Sequence, residues 1–168
     1  MKAVDNLPFK IGTLIFIKNR KGQFLMMKRK RNPNKGLWIV IGGKLETHLG
    51  ESAYECAVRE SKEEANFSIQ PTDLHLFSVI SEKAFGSSEH WLLFLFNCLK
   101  PIDHLPDNIE EGEFAFYSRE EINTLPIPQT DNQSIWPYFD KYQNAFVAMK
   151  IDHSAQGMKF VIEEANPL

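Results

Sequence analysis

One segment of this chain, residues 42–67, restricts the chemistry more than any other, because it gathers acidic side chains on one helix. Residues 51–65 have the composition of a helix and contain Glu60, Glu63 and Glu64. At about 100° per residue these carboxylates lie within roughly a 100° arc, where like charges repel. The arc continues backward through small residues with the i, i+3, i+4 spacing of a packed stripe, Ala53, Cys56 and Ala57. Carboxylates that continue a buried stripe indicate a site for a hard divalent cation.

The composition is that of an ordinary globular protein and argues against several functional classes. The chain has 168 residues, 43% hydrophobic and 24% charged, so we expect one domain spanning residues 1–168. A formal net charge of −3 gives no general attraction to a nucleic acid polymer or an anionic membrane. The sequence shows no signal peptide and no apolar run of about 18 residues, so a cytoplasmic location is expected. Cys56 and Cys98 lack metal-binding spacing and are expected to be reduced core residues.

The order of strands and helices predicts an α/β fold with a mixed sheet. Apolar or β-rich runs predict strands at residues 11–18, 23–28, 37–41, 74–81, 90–99, 113–117, 146–151 and 158–163. The first two strands are interpreted as a hairpin, and the last two as a closing hairpin. Helices are predicted at residues 51–65, 118–123 and 132–144. Asn66 tolerates left-handed backbone geometry and is the predicted end of the first helix.

The sequence of residues 42–67, GGKLETHLGESAYECAVRESKEEANF, resembles the Nudix box, the signature of the Nudix hydrolases. The family pattern is G-x5-E-x7-R-E-U-x-E-E-x-G-U, where U is a bulky aliphatic residue. This chain agrees with the pattern in residue type and spacing at Glu51, at the pair Arg59-Glu60, which follows seven residues later, and at the pair Glu63-Glu64. The layout outside the box is similar to that of the 8-oxo-dGTP diphosphatase type.

The box departs from the pattern at four places. Seven residues rather than five separate Gly43 from Glu51, so this loop is longer by two. Ser61 and Phe67 stand where bulky aliphatic residues are usual, and Asn66 replaces a glycine. Asparagine also accepts a left-handed backbone, so that replacement is compatible with the end of a helix. The spacing of the arginine and the glutamates is unaffected.

The resemblance implies a metal-dependent hydrolase on a Nudix α/β/α sandwich with a mixed β-sheet. The implied cofactor is Mg2+, with Mn2+ as the alternative. Its implied ligands are the main-chain carbonyl of Gly42, where the glycine pair is expected to turn, and the carboxylates of Glu60, Glu63 and Glu64. The alternative for the three glutamates is a solvated helix face.

Four residues are implied as catalytic. Arg59 is expected to orient the carboxylates, and a surface ion pair is its alternative. Glu63 is expected to hold a second ion or a bound water. Glu51 lies near the helix start, where a carboxylate also simply stabilises the helix dipole. Glu111 aligns with an acidic position that ligates metal or acts as general base, the alternative being a solvated loop charge.

Three residues are expected to contact the substrate. Lys28 is the best placed of the basic residues 28–31 to meet phosphates, although a solvated basic turn is an equal alternative. Asp131 resembles an acid that hydrogen-bonds a purine base, and a helix N-cap role fits equally well. Trp38 can stack on a base or pack in the core. Ile39 stands where close relatives of the 8-oxo-dGTP type carry a polar residue that contacts the base.

The expected reaction is attack of water on a phosphorus atom of a nucleoside diphosphate derivative. The leading substrate is an oxidised purine nucleoside triphosphate such as 8-oxo-dGTP, split into monophosphate and pyrophosphate. The alternatives are an ADP-ribose or nucleotide-sugar pyrophosphatase, and a non-catalytic nucleotide-binding sensor, which the intact box disfavours. Isoprenoid isomerase activity would need a catalytic cysteine, and Cys56 on the packed stripe is a poor candidate. The expected partner is a small-molecule nucleotide, and the chain is expected to be a monomer or homodimer.

Overall fold

The protein is described by a computed structural model, which covers residues 6–154 and 156–167. Its strands are β1 (Phe9–Phe16), β2 (Phe24–Arg29), β3 (Trp38–Ile39), β4 (Ile41–Lys44), β5 (Leu74–Phe85), β6 (Glu89–Cys98), β7 (Gly112–Tyr117), β8 (Phe146–Asp152) and β9 (Lys159–Asn166). Its α-helices are α1 (Ala53–Ala65), α2 (Arg119–Ile122) and α3 (Trp136–Tyr142). Short 3-10 helices occupy Thr47–Leu49 and Pro71–Asp73, and a π-helical turn occupies Asp131–Ile135.

The strands form two sheets, which confirms the predicted α/β fold with a mixed sheet. The larger sheet has six strands in the order β4-β1-β6-β5-β8-β9. Within it β1 runs parallel to β6 and β5 runs parallel to β8, whereas the other neighbours are antiparallel. The smaller sheet has the antiparallel order β3-β2-β7. The closing hairpin of β8 and β9 is confirmed by their antiparallel pairing.

Two predictions about the first strands hold only in part. The expected turn at residues 19–22 is present, with Lys18 paired antiparallel to Phe24 and the Leu25 amide donating to the Ile17 carbonyl, but β1 and β2 continue into different sheets. The single strand predicted at residues 37–41 is two strands, β3 and β4, one in each sheet. In both places the chain crosses from one sheet to the other, which lets apolar residues from both sheets enclose a common core.

The six-stranded sheet buries a different apolar cluster on each face, because successive side chains of a strand point to opposite sides. Phe16 of β1 stacks on Phe139 of α3, with ring centroids 4.6 Å apart. The preceding residue, Ile15, belongs to the second cluster, which includes Ala57 of α1 and Phe96 of β6. Helices α1 and α3 therefore pack against opposite faces of the sheet.

Helix α1 begins and ends where its sequence predicts, within two residues. Ser52 caps its start, since the Ser52 hydroxyl accepts from the Glu55 amide and the Glu55 carboxylate accepts from the Ser52 amide. Asn66 ends it with a left-handed backbone, at φ 48°. Cys56 and Ala57 are buried on the expected packed stripe. Both cysteines are free and buried, as predicted.

The helix predicted at residues 132–144 is present but is divided into two segments. A wide π-helical turn spans Asp131–Ile135, and only Trp136–Tyr142 is α-helical. Pro137 directly follows the π-helical turn and has no N–H to donate to a carbonyl of that turn, so the helix loses one hydrogen bond where it changes from π to α. Within the described residues, none of the helices has the length and apolar character needed to cross a membrane.

Candidate active site

Arg59 on α1 is the centre of an ion-pair network that fixes three carboxylates. Its Nε and Nη2 donate to the two oxygens of Glu51 at 2.7 and 3.0 Å, a bidentate arrangement. Its Nη1 donates to Glu60 at 2.7 Å and to Glu63 at 3.1 Å. Its Nη2 also donates to the main-chain carbonyl of Lys44 at 3.1 Å. The contacts of Arg59 therefore go well beyond a single surface ion pair.

Glu51 precedes α1 but is fixed against it. The Glu46 amide donates to Oε2 of Glu51 at 2.8 Å. The 3-10 helix Thr47–Leu49 and the left-handed Gly50 accommodate the longer loop and return the chain to Arg59. The hydrogen bonds from Arg59 lower the pKa of Glu51, so this carboxylate is charged near neutral pH. Its contacts are with Arg59 and its own loop rather than with the start of the helix.

Glu60 and Glu64, one turn apart on α1, lie near the two glycines of β4. A Cβ on Gly43 would lie 2.1 Å from Oε1 of Glu60, so only glycine leaves room for that carboxylate. A Cβ on Gly42 would lie 2.0 Å from the carbonyl oxygen of Thr13 in the neighbouring strand. The predicted turn at the glycine pair is wrong, because both residues are part of β4. Close approach, and not a turn, is the reason for the glycines.

The surroundings of Glu64 fit a bound hard cation. Its Oε2 is buried and has no hydrogen-bond partner among the residues that the structure describes. Burial, together with the negative charge of Glu60, raises the pKa of Glu64 to about 8. Burial also raises the pKa of Glu60. A divalent cation shared by these two carboxylates would remove their repulsion and favour the charged form of both.

Within residues 6–154 and 156–167, no three His, Cys, Asp or Glu side chains already surround one point as metal ligands. Two carboxylates are nevertheless enough for Mg2+, which is commonly held by one or two of them together with waters and substrate phosphates. Glu60 and Glu64 supply such a pair, and the glycines of β4 supply nearby main-chain oxygens. The donor set therefore fits a cation that is completed by the substrate.

Three acidic residues at and just before the start of β7, called the acidic loop residues below, face the basic turn after β2; they are Glu110, Glu111 and Glu113. Nζ of Lys30 lies 3.7 Å from Oε1 of Glu113, and Arg31 is hydrogen-bonded to Glu110. Among the described residues Glu111 makes no such ion pair, and its negative charge contributes to the raised pKa of Glu64. Of the three acidic loop residues, Glu111 is thus the one whose charge acts on the carboxylates of α1.

A cleft of about 490 Å3 extends from β4 across the six-stranded sheet. Gly42 and Gly43 line it at β4, and Glu82 of β5 and Asp131 line it elsewhere. Since β4 and β5 are separated by β1 and β6, three strand spacings of roughly 4.8 Å put about 14 Å between them. This length and volume suit a small molecule such as a nucleotide.

Two of the predicted substrate residues do not line this cleft. Lys28 and Trp38 are register partners in the small sheet and so project to the same face. Trp38 packs edge-on against Tyr117, with ring centroids 5.0 Å apart, and Lys28 is exposed. The residues next to them, Arg29 and Ile39, line the cleft instead. Packing is one of the two roles expected for Trp38, and contact of Lys28 with phosphates stays a prediction.

Asp131 does line the cleft, on the wall opposite the sheet. It is the first residue of the π-helical turn, whose cap is Thr130, so the N-cap alternative for Asp131 is wrong. Burial raises the pKa of Asp131 to about 7, and the negative charge of Glu82 adds to this rise. Burial likewise raises the pKa of Glu82 to about 7.

Three cleft residues are absent from the candidates that the sequence indicates: Lys44, Glu82 and Trp91. Lys44 brings positive charge to the part of the cleft near β4, as does Arg29, one of the basic residues 28–31. Trp91 and Glu82 lie on neighbouring strands of the large sheet and are register partners. The only sequence signal for Glu82 is a charged residue inside an apolar strand.

Comparisons with known proteins agree with this site. The NUDIX domain model matches residues 8–140. An ADP-ribose pyrophosphatase of Methanocaldococcus jannaschii is 28% identical over 127 residues, which are 74% of this chain and 70% of that protein. The fold and the carboxylate site define a hydrolase of nucleoside diphosphate derivatives. The chain belongs to the NUDIX family.

Solved structures support the same fold. A MutT protein from Bacillus halodurans matches 92% of this chain and 97% of its own, with a TM-score of 0.72 and 20% identity. The NUDIX domain of Shewanella oneidensis NrtR, in complex with ADP ribose, matches 80% of this chain and 87% of its own, with a TM-score of 0.61 and 14% identity. At these identities the likeness concerns the fold, and hydrolases of this fold generally use divalent metals.

Proposed function

We propose that this chain is a Mg2+-dependent pyrophosphohydrolase whose substrate is a purine nucleoside triphosphate, with 8-oxo-dGTP as the leading candidate. The observation that carries the proposal is the buried Oε2 of Glu64 beside Glu60, which has no hydrogen-bond partner among the described residues and lies in a site that adjoins a nucleotide-sized cleft. Mn2+ is the alternative cofactor. The products are the nucleoside monophosphate and pyrophosphate.

Some residues of the chain would bind the metal ion, and others would position the reacting groups. Glu60, Glu64 and the Gly42 carbonyl would hold the ion, which when bound neutralises phosphate charge and lowers the pKa of a coordinated water. Arg59 keeps Glu51, Glu60 and Glu63 in fixed positions through the hydrogen bonds described above. Such fixed positions matter because small misplacements of reacting groups cause large losses of rate.

Two carboxylates are candidates for accepting the proton of the attacking water. Glu63 is exposed, and one hydrogen bond to Arg59 leaves its other oxygen free to accept. Glu111 lies on the opposite loop, and its charge acts on Glu64. Arg29 and Lys44 are the cleft cations best placed to contact phosphate oxygens, in place of Lys28.

A purine base is favoured because Asp131 offers a carboxyl to ring N–H groups within the same cleft. The wall around it is partly apolar, with Leu14, Leu93 and Ile135. An apolar slot with a few placed polar groups is typical of sites that bind flat ligands.

ADP-ribose is the second candidate substrate, and a specific observation favours it. The relative from Methanocaldococcus jannaschii is an ADP-ribose pyrophosphatase, and the NrtR domain was solved with ADP ribose. The same carboxylate site would serve, because both substrates contain a diphosphate linkage. A nucleotide sugar belongs to the same alternative.

Hydrolysis of a substrate panel tests both candidates. The panel holds 8-oxo-dGTP, dGTP, dATP, ADP-ribose and UDP-glucose, with Mg2+ or with EDTA, and the products are separated by chromatography. We expect Mg2+-dependent release of monophosphate and pyrophosphate, with 8-oxo-dGTP preferred. A preference for ADP-ribose would replace the leading substrate, and no turnover of any compound would leave a nucleotide-binding sensor.

Glu64→Gln should lower kcat by about 100-fold or more, because it removes a charge that acts on the transition state through the ion. Glu55→Gln is a matched control on the same helix, since glutamine also completes a capping box with Ser52. Equal activity of the two variants would contradict the assignment of Glu64.

A further inference from the structure

Glu82 is a buried acid in a strand whose other buried residues are mostly apolar. It lies toward the end of β5 and is only 4% exposed. Its side chain shares a face with Ile80 and Ala84, which are buried apolar residues. Acids are almost never buried to this degree unless they are paired.

The described residues give Glu82 no adequate partner. No hydrogen bond to its carboxyl is formed within them, and its nearest ionisable neighbour is His153, with Nε2 at 3.8 Å from Oε2. Burial lowers the pKa of His153, so this imidazole is neutral near pH 7. The adjacent Lys83 is paired with Asp152 and, by alternation, points to the opposite face of the sheet.

Glu82 and Asp131 line the same cleft. The negative charge of Glu82 contributes to the raised pKa of Asp131, so the two carboxyls lie within electrostatic range of each other. One carboxyl comes from the sheet and the other from the π-helical turn above it. The apolar lining of the cleft includes Leu14, Leu93 and Ile135, and its polar lining near Trp91 also includes the ion pair of Lys10 with Glu89.

We propose that Glu82 and Asp131 together determine base specificity, by accepting hydrogen bonds from the N1–H and 2-amino groups of a guanine-type base. This inference rests on the proposed function, since it takes the cleft to bind a nucleotide. A deprotonated carboxyl is acceptor-only, so the ionised forms of Glu82 and Asp131 present oxygens that suit N–H donors. The guanine edge carries three N–H hydrogens, whereas the adenine edge carries two and also presents an acceptor nitrogen.

The comparison of dGTP with dITP isolates this contact, because the two differ only in the 2-amino group. A hydrogen bond to a charged acceptor makes kcat/KM about 10-fold or more higher for dGTP. We expect dGTP and dITP to differ in KM rather than in kcat, because the contact with the 2-amino group is remote from the phosphates. In Glu82→Leu the ratio falls toward one through a higher KM for dGTP, and in Glu82→Gln it falls partway. Glu164→Gln, an exposed position on β9, keeps the wild-type ratio.

Three results would overturn the inference: a wild-type ratio near one, a ratio kept in Glu82→Leu, or a preference for dATP over dGTP. Circular dichroism establishes that the variants are folded, and Asp131→Asn provides a second variant of the pair. If no triphosphate is hydrolysed, the proposed function fails separately. Calorimetry with dGMP and dIMP then tests the pair, and equal binding of the two by the wild-type protein would overturn it.

Discussion

The buried charge of Glu82 makes a prediction about stability that does not depend on any substrate. Replacing Glu82 by Gln keeps the size of the side chain and removes its ability to ionise. The charged groups that face this position are Asp131, which is acidic, and His153, which is neutral near pH 7. Nothing among the described residues therefore compensates a negative charge on Glu82, and the substitution should stabilise the protein where that charge is present.

The magnitude follows from the pKa of Glu82, which burial raises from 4.5 to about 7. Such a rise makes ionisation in the folded state cost about 3 kcal/mol relative to the unfolded chain. The folded protein holds this proton more tightly than the unfolded chain, so stability falls as the pH rises from about 4.5 to about 7. Below about pH 4.5 the carboxyl is protonated in both states and has no such cost.

Urea titrations of the wild type and Glu82→Gln, near pH 5 and near pH 8, measure this effect. We expect a small difference near pH 5, and a variant more stable by on the order of 1 to 3 kcal/mol near pH 8. Glu164→Gln, at an exposed position, should show no pH-dependent difference. A Glu82→Gln variant that is equally destabilised at both pH values would refute the reasoning, because it would mean that the charge is compensated.

Four further predictions concern the carboxylate site. Gly43→Ala should lower kcat by about 100-fold in steady-state assays, because its Cβ would displace Glu60; an unchanged kcat would contradict the placement of that carboxylate. Arg59→Lys should lower kcat by about 10-fold or more, since lysine cannot form the bidentate pair with Glu51, and an effect on KM alone would argue against an orienting role. Ser61→Ala should raise the free energy of unfolding by up to about 1 kcal/mol in urea titrations, because the buried Oγ of Ser61 lacks a hydrogen-bond partner among the described residues; lower stability would mean that the hydroxyl is satisfied. Mg2+ at about 100 times its Kd should stabilise the protein by about 2.7 kcal/mol in thermal unfolding, and equal stabilisation of Glu64→Gln would argue against that ligand.

The helical part of the site is predictable from sequence because its geometry is local. The period of 3.6 residues alone brings Glu60 and Glu64 to one face and places Arg59 beside Glu63. The spacing of the resembled box then indicates Glu51, and the Arg59 contacts agree with it. None of these positions depends on which strands pair elsewhere in the chain.

The strand residues are less predictable, because a strand's facing direction is set by long-range pairing. An error of one residue moves a side chain to the opposite face of the sheet. In the small sheet Arg29 and Ile39 line the cleft, whereas their neighbours Lys28 and Trp38 do not. The division of β1 and β2 between two sheets has the same origin, since sheet membership depends on partners distant in sequence.

The distribution of ion pairs explains why the region near Glu64 and the region near Glu82 favour different ligands. Near β4 a single guanidinium, Arg59, holds Glu51, Glu60 and Glu63, while Glu64 keeps a buried oxygen that has no partner within the described part of the chain. Across the sheet Glu82 is buried, and residues 6–154 and 156–167 supply no charged Lys or Arg to pair with it. An unpaired buried carboxyl is costly, so the fold retains one where something else completes it. Near Glu64 the surrounding carboxylates favour a metal ion, whereas the apolar walls near Glu82 favour a neutral ring with N–H donors.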